Sequence, residues 1–218
     1  MRKELQEQFT EINWGKGKKD IPRSGHGSTE DYTAGLRAEL PRLFRAYNVT
    51  RFLDAPCGDW TWMRLVDLDG IDYVGLDIVE DIIAQNRAAH GRKTVRFGTA
   101  DITSDPLPHA DLMMVRDCLF HLQFEMIWAF LRNFAASGIP FLFTTSHHEA
   151  DANRDLRRNG RFRLLNLQIA PFHFEPPIYA IGDTPEGSDH PPRIMGVWSR
   201  TQVNAVLRQA EDAGRLAS

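Results

Sequence analysis

The 218-residue sequence predicts an α/β fold: a mostly parallel sheet, doubly wound with helices on both faces. Three observations carry this. From Arg51 onward, short strand-like runs alternate with helical patterns, as in βαβ units. The run Asp111-Leu112-Met113-Met114-Val115-Arg116-Asp117 is apolar through its middle, as a strand buried on both faces requires. The first four strand-like runs all end in an acid, and the turn after the first contains a glycine, placing polar chemistry where open α/β sheets bind ligands.

Composition agrees with one globular domain. Hydrophobic residues make up 42% and charged residues 25%, ordinary values for such a chain. Its 26 Lys+Arg against 29 Asp+Glu give a net charge of −3, which disfavours a protein built to wrap nucleic acid. Two cysteines, Cys57 and Cys118, are not a secreted disulfide framework. No apolar run approaches the ~20 residues of a membrane span, and the first residues lack the apolar core of a signal peptide. The expected compartment is the cytoplasm.

The elements follow in order. Leu5, Phe9 and Ile12 stand at helical spacing, predicting a short amphipathic helix ahead of Trp14. Residues 15–28, rich in glycine and lysine, read as a loop long enough to act as a lid, with Trp14 at its head as a candidate substrate contact. Ser28 is the expected N-cap of a helix over residues 28–47 carrying Leu36, Leu40, Leu43 and Phe44 on one face. Pro41 should kink or restart that helix, and the helix should cover the sheet edge. Strands are expected over residues 51–54, 72–77, 94–101, 111–117 and 139–145. Helices are expected around Trp62, Met63, Leu65 and Val66, over residues 79–90 with Gly91 as its stop, and over residues 124–134 closed by Gly138. Beyond His147, prolines break the chain. Residues 166–169 and 194–198 read as late strands, and a helix with Val203, Val206, Leu207 and Ala210 ends the chain.

The candidate site lies at the strand ends. Asp54, Asp77 and Asp101 close the first three strands, and Arg116-Asp117 close the fourth. Asp77 stands 19 residues after Gly58, the distance at which an acid meets the ribose hydroxyls of an adenosine cofactor. Capping the helix that starts near Val79 is its alternative role.

These residues belong to motifs that resemble class I S-adenosylmethionine-dependent methyltransferases, in a bacterial subgroup with a Ser-Gly-x-Gly-Ser lead-in. The matching segments are Ser24-Gly25-His26-Gly27-Ser28, Leu53-Asp54-Ala55-Pro56-Cys57-Gly58-Asp59-Trp60, Tyr73-Val74-Gly75-Leu76-Asp77-Ile78, Asp101-Ile102-Thr103, the run from Asp111 through His121-Leu122, and Leu165-Asn166-Leu167-Gln168-Ile169-Ala170-Pro171-Phe172. The resemblance implies a Rossmann-like core with seven strands over residues 51–201, an N-terminal helical lid within residues 1–50, and a helical tail over residues 202–218. It implies S-adenosyl-L-methionine as cofactor and S-adenosyl-L-homocysteine as product. Asp54 and the backbone of Ala55, Pro56, Cys57 and Gly58, with Trp60 beside them, would hold the methionine part. Asp77 would hold the ribose, Ile78 would pack on adenine, and Asp101 with the Ile102 backbone would meet the adenine amino group. Arg116 and Asp117 would lie near the sulfonium.

The sequence departs from the glycine-rich form of the first motif: Pro56 and Trp60 hold two of its three glycine positions. This disfavours a nicotinamide dehydrogenase, whose pyrophosphate needs close backbone approach there. A non-catalytic cofactor-binding module is the other alternative. Asp117 and His121 are the candidate catalytic pair, with His121 as general base or substrate contact; a helix cap and an interfacial histidine are the competing readings. His147 and His148 follow the fifth strand as candidate substrate contacts or as plain loop residues. With Asp151 they have too little ligand spacing for a metal site, and none is expected. Cys57 and Cys118 read as buried thiols flanking the pocket. The Pro56-Cys57 pair stands at the wrong turn for a cytosine-methylating nucleophile, and no Asn/Asp-Pro-Pro-aromatic motif occurs, so a small molecule is the expected acceptor.

Overall fold

A computed structural model describes residues 2–12, 15 and 20–216, with the side chain of Arg2 left out. Trp14 and the lysines at positions 16, 18 and 19 lie outside the described residues. Seven strands form one sheet: β1 (Arg51–Asp54), β2 (Asp72–Asp77), β3 (Val95–Thr99), β4 (Leu112–Val115), β5 (Phe141–Ser146), β6 (Tyr179–Gly182) and β7 (Ile194–Ser199). Their spatial order is β3-β2-β1-β4-β5-β7-β6. The first five are parallel, whereas β7 runs antiparallel to β5 and to β6. The helices are α1 (Arg2–Glu11), α2 (Ala34–Ala46), α3 (Glu80–His90), α4 (Phe124–Ser137) and α5 (Arg200–Asp212).

Strand periodicity divides the core into two layers, because successive side chains point to opposite faces. Leu53, Met113, Val115 and Leu142 face a cluster built with Ile127, Phe130, Leu131 and Phe134 of α4 and Val203, Val206 and Leu207 of α5. Phe52, Leu112, Met114 and Phe143 face the opposite cluster, closed by Leu36, Leu40, Leu43 and Phe44 of α2 and Ile83 of α3. The helix α2 thus buries its apolar stripe on the sheet face, and reaches the β6 edge without being confined to it.

Several local expectations are corrected. Ser28 lies in a 3₁₀ turn (His26–Ser28), and α2 starts only at Ala34, running continuously through Pro41. The run around Trp62 forms only a 3₁₀ turn, Met63–Leu65, because its large side chains pack into the second cluster without a continuous helical face. Gly138 takes the left-handed stop at φ 81°, whereas Gly91 has φ −61° and ends α3 without the left-handed turn. Residues 166–169 form a turn, not a strand: Asn166 is tied to Asn153 at both its N–H and its carbonyl. The strand missing from the sequence reading is β6.

Candidate functional site

Strand order reverses between β1 and β4, which both neighbour the chain's first crossover. Loops leaving their carboxyl ends diverge there and open a crevice. A cavity occupies it. Its empty space, counting the open mouth, is about 1100 Å³, the scale of known ligand pockets. Asp54, Pro56, Cys57, Gly58, Asp77, Ile78, Asp101, Ile102, Arg116, Asp117 and His121 all line it. Of the predicted residues, Trp60 is turned away, packed on Tyr73, His90 and Phe97 in the second core cluster. Ala55 is fully buried under the turn.

The turn after β1 explains Asp77. The Ala55–Pro56 peptide is cis and Gly58 sits at φ 56°, a conformation that suits glycine. Gly58 N–H donates to Asp77 Oδ2 at 3.0 Å, and Val79 N–H donates to Oδ1 at 3.0 Å. Its carboxylate thus holds the N–H of Val79, the residue just before α3, braces the turn, and still faces the cavity. Burial pushes its carboxyl up to about 6 against those two N–H groups. Asp54 is more extreme. It is buried and accepts from Tyr73 Oη at 2.6 Å. Burial pushes it up to about 7, with the Tyr73 hydrogen bond opposing. Asp101 holds Thr103 through N–H and hydroxyl at 2.9 and 2.6 Å, so it braces its own turn beside Ile102.

The fit to a cofactor can be judged from this donor set. Cys57 N–H is bonded to Leu76 O and Gly58 N–H to Asp77, and both neighbouring side chains are carboxylates. This is no anion cradle, so a pyrophosphate would meet repulsion. Hydroxyls and a cationic group suit acceptor-only carboxylates. Ile78, Val79, Ile82, Ala100 and Ile102 supply an apolar slot alongside them. A phosphate-free adenosine carrying positive charge fits.

On the other side of the cavity, Arg116 is buried and bidentate on Asp183, at 3.0 and 3.2 Å, with its guanidinium 5.3 Å from the Trp62 ring centre. Asp117 stands at φ 52°. Burial opposes its charge, but Arg116 at 3.4 Å and Arg193 at 3.0 Å prevail and hold its carboxyl below the ordinary range. His121 lies in a 3₁₀ turn, Leu119–His121. Its Nδ1 is 2.9 Å from Arg161 O. A carbonyl only accepts, so Nδ1 carries the proton and Nε2 the lone pair. Burial lowers its pKa and keeps the ring neutral. His147 and His148 do not join the cavity wall. His147 is buried, accepts from Leu165 N–H at Nδ1 (3.2 Å), and packs on Phe120 and Phe162; burial drops its pKa to about 4. His148 pairs with Glu149 at 3.8 Å. Cys57 and Cys118 are buried free thiols, both on the cavity wall.

Leu5 and Phe9 of α1, and Ile12 just after it, also line the cavity. Ser24 binds Asp59 through N–H and hydroxyl at 3.2 and 2.9 Å, and Arg23 pairs with Asp81 at 2.5 Å. Sequence reasoning missed Tyr73, Asp183 and Arg193. Tyr73 had a signal, a tyrosine directly across the strand pair from Phe52, two residues from Asp54 in register. Asp183 and Arg193 gave none.

No protein-family model and no curated protein matches the sequence. Solved structures do. The N-methyltransferase NodS from Bradyrhizobium japonicum WM9, in complex with S-adenosyl-L-homocysteine, is 13% identical at TM-score 0.59, covering 91% of this chain and 97% of its own. The PH0226 protein from Pyrococcus horikoshii OT3 is 15% identical at TM-score 0.56, covering 82% and 95%. The Burkholderia thailandensis 1,6-didemethyltoxoflavin-N1-methyltransferase, with its substrate and S-adenosylhomocysteine bound, is 18% identical at TM-score 0.52, covering 78% and 88%. At such identities the likeness is one of fold: the chain has the seven-stranded, Rossmann-like architecture of these structures, two of them methyltransferases.

Proposed function

We propose that the protein is an S-adenosylmethionine-dependent methyltransferase acting on a small-molecule hydroxyl or amine. The observation that carries this is the buried Asp77 carboxylate, bonded to Gly58 N–H between the ends of β1 and β2 and facing a cavity with no phosphate cradle. The solved structures of like fold that hold S-adenosylhomocysteine support it, and the bound toxoflavin precursor in one of them supports a small acceptor.

When bound, the cofactor supplies a methyl group already activated by the sulfonium. The chain's own residues position and exclude water. Asp77 receives the ribose hydroxyls, Asp54 faces the methionine part, and Ile78 and Ile102 sandwich the adenine. Asp117, held ionised by its two arginines, is too acidic for a base at neutral pH and serves as hydrogen-bond acceptor for the methyl acceptor. His121 Nε2 takes the proton. The helix α1 serves as lid. The site works in the cytoplasm, without metal or nucleic acid.

Calorimetry with S-adenosylmethionine, S-adenosylhomocysteine and NAD tests the reading. Binding of the first two and not the third is expected, with loss on Asp77→Ala; folded protein that binds neither overturns it. Screening acceptors for S-adenosylhomocysteine release then separates an enzyme from a binding module.

A further inference from the structure

Arg193, at the edge of β7, occupies a position that neither motif nor cavity wall assigns. It is buried, yet its guanidinium reaches three separate parts of the chain. Nη2 donates to Asp117 Oδ2 at 3.0 Å, and Nε donates to Asp183 Oδ2 at 3.2 Å. Its guanidinium carbon lies 4.9 Å from the ring centre of Tyr32. Gly27, in the Ser-Gly-x-Gly-Ser segment, has room for no side chain there: a Cβ would stand 2.8 Å from Asp117 Oδ2 and 3.2 Å from Arg193 Nη2. His26 and His190 add a second link across the same gap, ring nitrogens 3.3 Å apart and both rings against Tyr32.

On the methyltransferase reading, we infer that Arg193 is a positioning residue of the acceptor site, fixing the Asp117 carboxylate toward the cavity and clipping the 26–32 segment over it. The charges facing Asp117 are Arg116, Arg193, His121 and His147, with Asp183 behind the arginines. Arg116 with Asp183 and Arg193 with Asp117 balance as two cations and two anions. The floor thus offers an acceptor a hydrogen-bonding carboxylate rather than a net field. A hydroxyl or amine is selected there over an anionic acceptor. The loop joining β6 to β7 becomes a specificity element, since it carries both Asp183 and Arg193.

Burial is the first reason His121 and His147 titrate low, and the Arg193 cation is a further one for both. Imidazole titration by NMR therefore reads Arg193 without needing the acceptor. In Arg193→Met, both histidines should titrate higher than in the wild type. Arg193→Lys, which restores the cation, should bring them back. S-adenosylhomocysteine affinity should stay at the wild-type value in both, because Arg193 is off the cavity wall. Unchanged titrations in folded Arg193→Met overturn the inference. Should that variant not fold, Arg193→Gln keeps a donor for each acid while removing the charge, and carries the same test. A wild type that binds no S-adenosylhomocysteine overturns the methyltransferase reading and the acceptor role with it, whereas bound cofactor with unmoved histidines overturns Arg193 alone.

Discussion

Cofactor affinity should tighten as pH rises from 5 to 7.5, and Asp54 is the main reason. In the protein alone its carboxyl is pushed from 3.8 up to about 7, chiefly by burial. That is roughly three pH units, so keeping this carboxylate charged costs on the order of 4 kcal/mol above pH 7. A folded-state value raised above the unfolded one stabilises the fold fully below pH 3.8, and this stabilisation is lost as pH climbs through about 7. Asp77 behaves alike with a value of about 6. A cationic ligand beside these groups favours their charged forms, so binding expels protons. Each linked proton changes affinity by as much as tenfold per pH unit below the group's free value. Calorimetry with S-adenosylmethionine at pH 5, 6, 7 and 8, in buffers of different ionisation heat, measures both the slope and the protons released. Asp54→Asn keeps the partner of Tyr73 Oη but removes the titration, and should leave only the Asp77 part of the slope, which levels off near 6. An affinity flat from pH 5 to 7.5 in the wild type, or a slope that Asp54→Asn leaves unaltered, refutes the reasoning.

Other substitutions probe separate links. Tyr73→Phe removes the hydrogen bond that lowers Asp54, so the pH at which affinity levels off should move upward by the same calorimetry. His121→Gln should cost about 10²–10⁴ in kcat once an acceptor is found and leave S-adenosylhomocysteine binding intact; equal losses in both would remove His121 from proton transfer. Gly58→Ala places a Cβ at φ 56°, 3.2 Å from Ser24 Cβ. It should destabilise the fold by ~1–2 kcal/mol and weaken the Ser24 link to Asp59, visible as faster amide exchange over residues 23–28. Ser199→Ala removes the cap of α5, where Ser199 Oγ accepts from Gln202 N–H at 3.2 Å and Gln202 Oε1 accepts from Ser199 N–H at 2.9 Å. About 1 kcal/mol and ~2–4 °C in Tm should be lost.

The half of the candidate site proposed for the cofactor was legible because it is local. Asp54, Gly58, Asp77 and Asp101 stand at fixed offsets within successive βα units, so strand ends deliver them to one edge whatever the tertiary detail. The five parallel strands were legible from their short apolar runs between helical patterns, most plainly Leu112–Val115, buried on both faces. Trp60 shows where such reasoning stops. Its place in a motif suggested the pocket, but an indole at φ 56° is carried past the turn into the aromatic cluster of Tyr73 and Phe97. Direction, not position, decided it.

The half proposed for the acceptor was illegible because it is assembled by pairing. The edge strand Tyr179–Gly182 has only Ile181 buried, so it shows neither alternation nor an apolar run. It becomes a strand because β7, fully paired with β5, offers it a second edge. The register that sets Gly182 opposite Ile194 also sets Asp183 beside Arg193, with Asp183 N–H donating to Arg193 O at 3.0 Å. Only then can two residues ten apart form one ionic group and meet Arg116 and Asp117 from the far end of β4. Nothing in the spacing of Asp183, Arg193 and Asp117 announces this, since antiparallel pairing depends on a turn length that prolines and glycine between them leave open. On the proposed function, acceptor specificity is therefore to be sought in the β6–β7 connection and the Ser24–Ser28 motif it touches, where the fold permits change without disturbing the braced carboxylates on the cavity's other side.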